Sequence, residues 1–287
     1  MLIAVLILGR ETKGATRWLD LGIIKMQPSE LAKIAFALIS IKILSQKQKF
    51  ENNFGKKFWT TLGFFGVFTA LIIMQKDLGT VVLLGITYTV ILLISGSTWK
   101  RVIIMDSAFA LCVVPFVYME AYRTTRILDY LHSLSDWTKS SDNVRSAIIA
   151  FGSGGIFGKG LGQSEMKLLH LPEAHTDFIF PIIGEELGFF GASLIIFLFV
   201  LIILKAFKIS EQCDDDFGKN LAFIIGVMFA LQAVINMGMS IGVFPTKGMP
   251  LPFISYGGSS MLYSLITIGI LFNISRKNRH GQYFNNN

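Results

Sequence analysis

Carboxylates and histidines cluster in one short segment, residues 170–191, where a polar loop runs into a long apolar helix. Ionisable groups at the edge of a membrane are costly, so they are usually kept for a function. A positioned carboxylate can act as a general base, and basic residues nearby can stabilise a leaving anion. This segment is therefore the candidate reaction site, and its acidic residues are Glu173, Asp177, Glu185 and Glu186.

The composition is that of a polytopic membrane protein. Of 287 residues, 52% are hydrophobic and only 16% are charged, and several apolar runs reach the roughly 17–25 residues that a helix needs to span a bilayer. Alternating ten-residue strands are absent from the sequence, so the fold class is an all-α membrane helical bundle and not a barrel. The spacing of Cys112 and Cys213 suggests neither a disulfide framework nor a metal site.

The apolar runs predict about seven complete transmembrane helices and an N-terminal stub in a single domain, residues 1–280. Loops are predicted at 10–27 and 244–256, and a long loop at 121–177 whose amphipathic pieces favour a folded structure on the membrane. Residues 281–287 are predicted to be a disordered cytoplasmic tail. The predicted stub is 1–9, and the predicted spans are 28–44, 58–74, 80–95, 102–118, 178–204, 221–243 and 257–274.

The orientation follows from the short loops. Those on the side of the C-terminal tail carry about twice as many Lys and Arg residues as those on the other side. Because such residues favour the cytoplasmic side, the C terminus is predicted to be cytoplasmic. The long loop and the candidate reaction site then face outward.

From spacing alone, Asp177 has two interpretations. An aspartate just before an apolar run is more often a helix N-cap than a base, and Pro181 fits the first turn of that helix. Glu185 and Glu186 lie further along the helix, where structural pairing or headgroup contact is favoured over direct chemistry. Glu173 and His175 could orient Asp177 or bind a metal, although His–x–Asp in a loop is weak evidence for a metal site.

Further candidate substrate-binding residues lie near the predicted ends of other helices. Each also has a structural interpretation. Lys247 could be a solvated lysine, and Asp77 could be a helix cap. Glu30 and Lys33 could form an i, i+3 ion pair. The serines that precede and open the last helix could pack against a neighbouring helix or bind phosphate. The Gly158-x-Gly160-x-Gly162 run lacks a preceding strand and is not interpreted as a nucleotide loop. The remaining candidates are Arg17, Trp18, Ser255, Ser259 and Ser260.

Several long motifs, in order, carry a resemblance to a known family. They are GATRWLDLG followed by QPSELAKIA, the DLGT turn at Asp77, LPEAHTDFIF with GEELG, and PTKGMPLPFISYGGSS. Together they resemble the SEDS family (shape, elongation, division and sporulation) of membrane glycosyltransferases, almost from end to end. LPEAHTDF and PTKG are more similar to the cell-division branch than to the elongation branch.

The resemblance implies an inverting peptidoglycan glycosyltransferase that polymerises lipid II on the outer face of the bacterial cytoplasmic membrane, with undecaprenyl pyrophosphate as leaving group. It implies that Asp177 is the general base and that Lys247 contacts the pyrophosphate or the acceptor. The implied protein partners are a class B penicillin-binding transpeptidase and other division proteins; no nucleic acid is expected. A divalent cation, Mg²⁺ or Mn²⁺, is the one cofactor that the chemistry leaves open.

The resemblance also raises alternatives. The family has about ten helices, and this sequence begins inside what resembles the third, so the chain is expected to be N-terminally shortened. A misassigned start, a broken gene or a separate completing piece would each explain this. The alternative functions are a lipid II flippase, which needs no catalytic Asp177, and an inactive truncated scaffold of the division machinery.

Overall fold

The computed structural model describes residues 1–12, 15–20, 22, 25–45, 54–166 and 175–285. Within these ranges the chain is mostly helical, which confirms the all-α prediction. The helices are α1 (Leu2–Leu8), α2 (Pro28–Ser45), α3 (Phe54–Met74), α4 (Leu78–Ile94), α5 (Trp99–Tyr118), α6 (Ala121–Ser133), α7 (Asp142–Gly154), α8 (Ile179–Glu211), α9 (Asp216–Ser240) and α10 (Gly258–Asn285). The final helix α10 therefore extends into the predicted tail.

Five of the described helices are long and apolar enough to cross a membrane: α3, α5, α8, α9 and the 258–278 part of α10. The chain is therefore a multi-pass membrane protein. Helix α4 is apolar, but with 17 residues it is slightly short by this measure. Helix α2 carries Glu30, Lys33 and Lys42 within its 18 residues. The number of spans, predicted as about seven, stays a prediction.

A small antiparallel sheet, β1-β2-β3, occupies the segment that the sequence predicts to be a polar loop. Its strands are β1 (Arg10–Thr12), β2 (Ala15–Asp20) and β3 (Lys25–Met26), with Arg10 opposite Trp18 and Leu19 opposite Met26. Strands of two to six residues are too short to show a clear alternation of apolar and polar side chains, which explains why the sequence did not indicate them.

The chain forms two compact units, each made of separate segments. The first contains Met1–Asp106, Ile202–Met228 and the chain from Gly258 onward; the second contains Ser107–Leu201 and Phe229–Gly257. In the first unit, Phe65 and Tyr88 stack with ring centroids 4.8 Å apart, and Phe36 lies within 6 Å of both rings. In the second, Phe180, Phe199 and Leu251 form one of the buried clusters. The single-domain boundary at residue 280 stays a prediction.

Helix α8 is broken at Gly188, where φ is 66° and ψ is −164°. The predicted span 178–204 is therefore not one continuous helix. The glycine-rich segment that follows α7 fills the break: the amides of Lys159 and Gly160 donate to the carbonyls of Glu185 (2.9 Å) and Glu186 (3.0 Å). In return, the amides of Phe189 and Phe190 donate to the carbonyls of Gly155 (2.9 Å) and Ile156 (3.3 Å). The loop backbone thus replaces helical hydrogen bonds that the break removes.

Candidate active site

The segment that leads into α8 is held through three successive backbone carbonyls. The carbonyl of His175 accepts from the amide of Tyr256 (2.8 Å), and that of Thr176 accepts from the Ser255 hydroxyl (2.5 Å). The carbonyl of Asp177 accepts from the Asn236 side-chain amide (2.9 Å). These contacts all lie within the second unit, and they fix the backbone of Asp177 independently of its side chain.

The Asp177 carboxylate lies against the turn that carries Lys247. A Cβ atom placed on Gly248 would stand 3.0 Å from Oδ2 of Asp177, so this carboxylate oxygen approaches the backbone closely there. Both Asp177 and Lys247 are half-buried. Helix α8 begins at Ile179, so Phe178 and not Asp177 directly precedes it. The carboxylate therefore lies next to the turn that carries the lysine.

Asn236 is a positioning residue that the sequence analysis missed. Its fully buried Nδ2 atom donates both to the carbonyl of Asp177 and to that of Met249 (2.7 Å), two residues after Lys247. One side chain of α9 therefore ties the loop with the carboxylate to the turn with the lysine. The sequence contained an indication of this role, because an asparagine inside an apolar span is costly unless its side chain is hydrogen-bonded.

Replacing Asn236 with Leu is expected to lower the free energy of unfolding by about 2 kcal/mol, because the buried Met249 carbonyl and the partly buried Asp177 carbonyl lose their donor. Thermal unfolding of the purified protein in detergent measures this change. Gln232→Leu is the matched control, since this buried amide lies one turn earlier on α9 and its Oε1 has no hydrogen-bond partner. Equal losses in the two variants would show that the two bonds of Asn236 do not matter.

Glu185 is fully buried, and its carboxylate accepts four hydrogen bonds. It accepts from the hydroxyls of Ser153 (3.3 Å) and Ser164 (2.6 Å), from Nζ of Lys159 (2.9 Å) and from the amide of Glu165 (3.3 Å). The geometry supports structural pairing for Glu185; a substrate contact for it or for the neighbouring Glu186 stays a prediction.

In the first unit, Asp77 caps α4 as the sequence analysis favoured. Its carboxylate accepts from the amide of Thr80 (3.2 Å) and from the hydroxyls of Thr80 (2.8 Å) and Ser29 (3.3 Å). Arg17 of β2 donates to the carbonyl of Lys76 (2.5 Å), directly before Asp77. Trp18 is half-buried in the same strand. Substrate contacts for Asp77, Arg17 and Trp18 stay predictions.

Glu30 and Lys33 form the predicted pair, deep inside the first unit. The Nζ of Lys33 lies 2.8 Å from Oε2 of Glu30 and 4.5 Å from the ring centroid of Tyr263, and both charged side chains are at most 3% exposed. A buried ion pair is costly to desolvate and is strongly destabilising to break. Their contribution to substrate binding remains a prediction.

Lys33→Met is expected to destabilise the protein by about 3 kcal/mol, because it leaves the Glu30 carboxylate buried without its cation. The double variant Glu30→Gln, Lys33→Met is expected to recover much of this loss, since it removes both charges. Melting temperatures of wild type, the single variant and the double variant test the pair. A double variant no more stable than the single one would contradict this explanation.

The serines predicted to contact substrate make internal hydrogen bonds. Ser255 accepts from the amide of Leu251 (2.7 Å) in addition to its bond to Thr176. Ser259, near the start of α10, accepts from the amide of Gln27 (2.8 Å) and donates to the carbonyl of Lys25 (3.1 Å). Ser260 is buried. These contacts favour the packing interpretation, and phosphate binding stays a prediction.

The proposed metal ligands are only partly described. His175 is exposed, and Glu173 lies outside the described residues. Among the residues that the structure describes, no group of three or more His, Cys, Asp or Glu side chains could hold a metal ion. The described residues alone therefore do not make a cation site, and a requirement for Mg²⁺ or Mn²⁺ stays a prediction.

Comparison with known proteins assigns the chain to a family. The profile described as "Cell cycle protein", of FtsW, RodA and SpoVE, matches residues 1–280. The chain is 40% identical over 282 residues to the probable peptidoglycan glycosyltransferase FtsW of Shewanella sediminis, covering 97% of this chain and 69% of that protein. It is 41% identical over 279 residues to the protein of the same name from Trichlorobacter lovleyi, covering 96% and 73%.

Solved structures support the same family assignment. A chain described in a study of how a peptidoglycan synthase complex coordinates polymerization and crosslinking superposes with a TM-score of 0.73 at 26% identity, covering 96% of this chain and 78% of that one. The rod shape determining protein RodA of Thermus thermophilus gives a TM-score of 0.66 at 26% identity, covering 96% and 74%. The chain therefore belongs to the FtsW/RodA/SpoVE family of membrane proteins, the SEDS family whose motifs its sequence carries.

Proposed function

We propose that this chain is a peptidoglycan glycosyltransferase that polymerises lipid II during septal cell-wall synthesis. The names of its relatives support this activity. One observation of the site carries the proposal: the Asp177 carboxylate lies against Gly248, the residue next to Lys247, while three carbonyl contacts hold its backbone. A carboxylate and a cation on neighbouring segments are the groups that the reaction needs.

In the proposed reaction, Asp177 accepts the proton of an acceptor sugar hydroxyl, which is a poor nucleophile at neutral pH. The hydroxyl oxygen forms a bond to the anomeric carbon of the donor sugar as the bond from that carbon to the pyrophosphate oxygen breaks. The configuration is thereby inverted. Undecaprenyl pyrophosphate leaves as a stable anion, so Lys247 stabilises its charge and no general acid is required.

The proposed setting is the bacterial cytoplasmic membrane, with the C terminus in the cytoplasm and Asp177 on the outer face. The distribution of Lys and Arg among the short loops supports this orientation. A class B penicillin-binding transpeptidase is the proposed partner, along with other division proteins. This proposal draws support from the solved relative that belongs to a peptidoglycan synthase complex.

The test is polymerisation of labelled lipid II by the purified chain together with its transpeptidase partner, read on a gel that resolves glycan length. The expected result is a ladder of glycan products. If neither this chain nor a chain extended to the length of its relatives produces a ladder, the proposal is wrong. Movement of lipid II across vesicle membranes without polymerisation would instead identify a transporter.

A further inference from the structure

An apolar patch surrounds the break in α8. Its large side chains come from the glycine-rich loop and from the helix just after the break. They are strongly exposed: Phe157 is 81% exposed, Leu161 76%, Phe189 67%, and Ile156 and Phe190 60% each. The rings of Phe157 and Phe190 lie 5.6 Å apart. Contiguous exposure of this kind indicates a surface that is covered by something other than water.

The position of the patch along α8 fixes its depth. The apolar stretch of this helix ends at Leu204, because Lys205 follows. At 1.5 Å per residue, Phe189 and Phe190 lie about 21–23 Å from Leu204. The hydrocarbon core is about 30 Å thick, so both phenylalanines lie within it. The loop bonds directly to the backbone of these two residues and therefore reaches the same depth.

The backbone of the loop suits this environment. Non-helical backbone, as in re-entrant loops, is tolerated at membrane depth only where it is buried against protein or lines a water-filled cavity. The amides of Lys159 and Gly160 and the carbonyls of Gly155 and Ile156 are satisfied by α8. Four backbone groups of the loop are therefore paired with four backbone groups on either side of the break in the helix.

The charge in the loop is also neutralised. Lys159 is the only ionisable residue between 155 and 162, and its Nζ bonds to the buried Glu185 carboxylate at 2.9 Å. The remaining side chains from 156 to 161 are apolar or absent. A paired lysine beside an apolar tip is compatible with lipid, whereas an unpaired one would be expensive.

We propose that residues 156–161 form a re-entrant loop whose tip, with Phe189 and Phe190, inserts among the acyl chains of the bilayer. The occupant of this surface is membrane lipid, because the patch continues the lipid-facing side of a predicted span at a depth where water is absent. The inference rests on the chain being a multi-pass membrane protein, and it does not depend on the proposed enzymatic activity.

Spin-label accessibility tests this proposal in purified protein reconstituted into phosphatidylcholine vesicles. A nitroxide is attached to Phe157→Cys, and separately to Leu161→Cys, in a Cys112→Ser background; the native Cys213 is buried. Phe197→Cys, in the middle of α8 and 55% exposed, gives the lipid reference. Tyr256→Cys, with the same 81% exposure as Phe157 but in the turn before α10, on the proposed outer side, gives the water reference.

The expected result is that labels at 157 and 161 collide with oxygen in preference to a water-soluble nickel complex, in the same ratio as at 197 and well above that at 256. Unchanged melting temperatures establish that each labelled protein is folded. A ratio at 157 and 161 equal to that at 256 would place the loop in water and overturn the proposal. Low accessibility to both reagents would overturn it too, since a second copy of the chain would then cover the patch.

Discussion

Asp177→Asn is expected to lower the rate of glycan polymerisation by about 10²–10⁴-fold, the usual contribution of a general base. Asparagine has nearly the same shape as aspartate, but its amide does not accept the proton of a sugar hydroxyl. The contacts that hold this segment run through the carbonyls of residues 175, 176 and 177. The substitution therefore leaves these backbone contacts in place.

The measurement is the initial rate at which labelled lipid II becomes glycan, together with the melting temperature of each variant. Asp142→Asn is the control, because this carboxylate lies in the same unit, is 87% exposed and pairs only with Arg145 among the contacts described. We expect it to retain the wild-type rate. If Asp177→Asn also retained the wild-type rate, Asp177 would not be the base.

Features governed by local sequence were predictable. The i, i+3 pair of Glu30 and Lys33 and the cap made by Asp77 each depend on residues three positions apart on one helix turn. The apolar runs predicted the helices because backbone groups in lipid must bond within their own segment. Such features need no knowledge of how distant parts of the chain meet.

Features that depend on distant contacts were not predictable. The break at Gly188 lies inside a run, GFFG, that resembles any flexible part of an apolar helix, and the backbone that stabilises it lies about thirty residues earlier. Asn236 is a polar residue in an apolar span, but its two acceptors lie on separate loops and could not be identified from the sequence. The glycine-rich run was not assigned to nucleotide binding, and its packing partner, α8, could be found only from the structure.

Gly158→Ala is expected to destabilise the protein by about 4 kcal/mol or more, which is exceptional for a single methyl group. The added Cβ would stand 2.2 Å from the carbonyl oxygen of Glu186 and 2.7 Å from the amide of Gly188. Both neighbours are backbone atoms, so no side chain can move aside. The loop must separate from α8, and its hydrogen bonds to the break are then lost.

Gly162→Ala provides a matched control in the same loop. Gly158 and Gly162 have nearly equal φ values, 81° and 79°, but nothing lies within 4 Å of a Cβ added to Gly162. The control should therefore show only the cost of the left-handed conformation, about 1 kcal/mol. Melting temperatures of the two variants compare the steric contact directly, and equal decreases would contradict the fit of the loop into α8.

Gly158→Ala should also reduce polymerisation, because it disturbs the structure that positions Asp177. The first segment of α8 begins two residues after Asp177, and Phe178 and Ile182 pack with Ala147 of α7, the helix that leads into the loop. Separation of the loop from α8 therefore disturbs the scaffold of the base. Gly158→Ala should lose stability and activity together, whereas Asp177→Asn should lose activity alone, and this contrast separates the chemistry of the carboxylate from the structure that positions it.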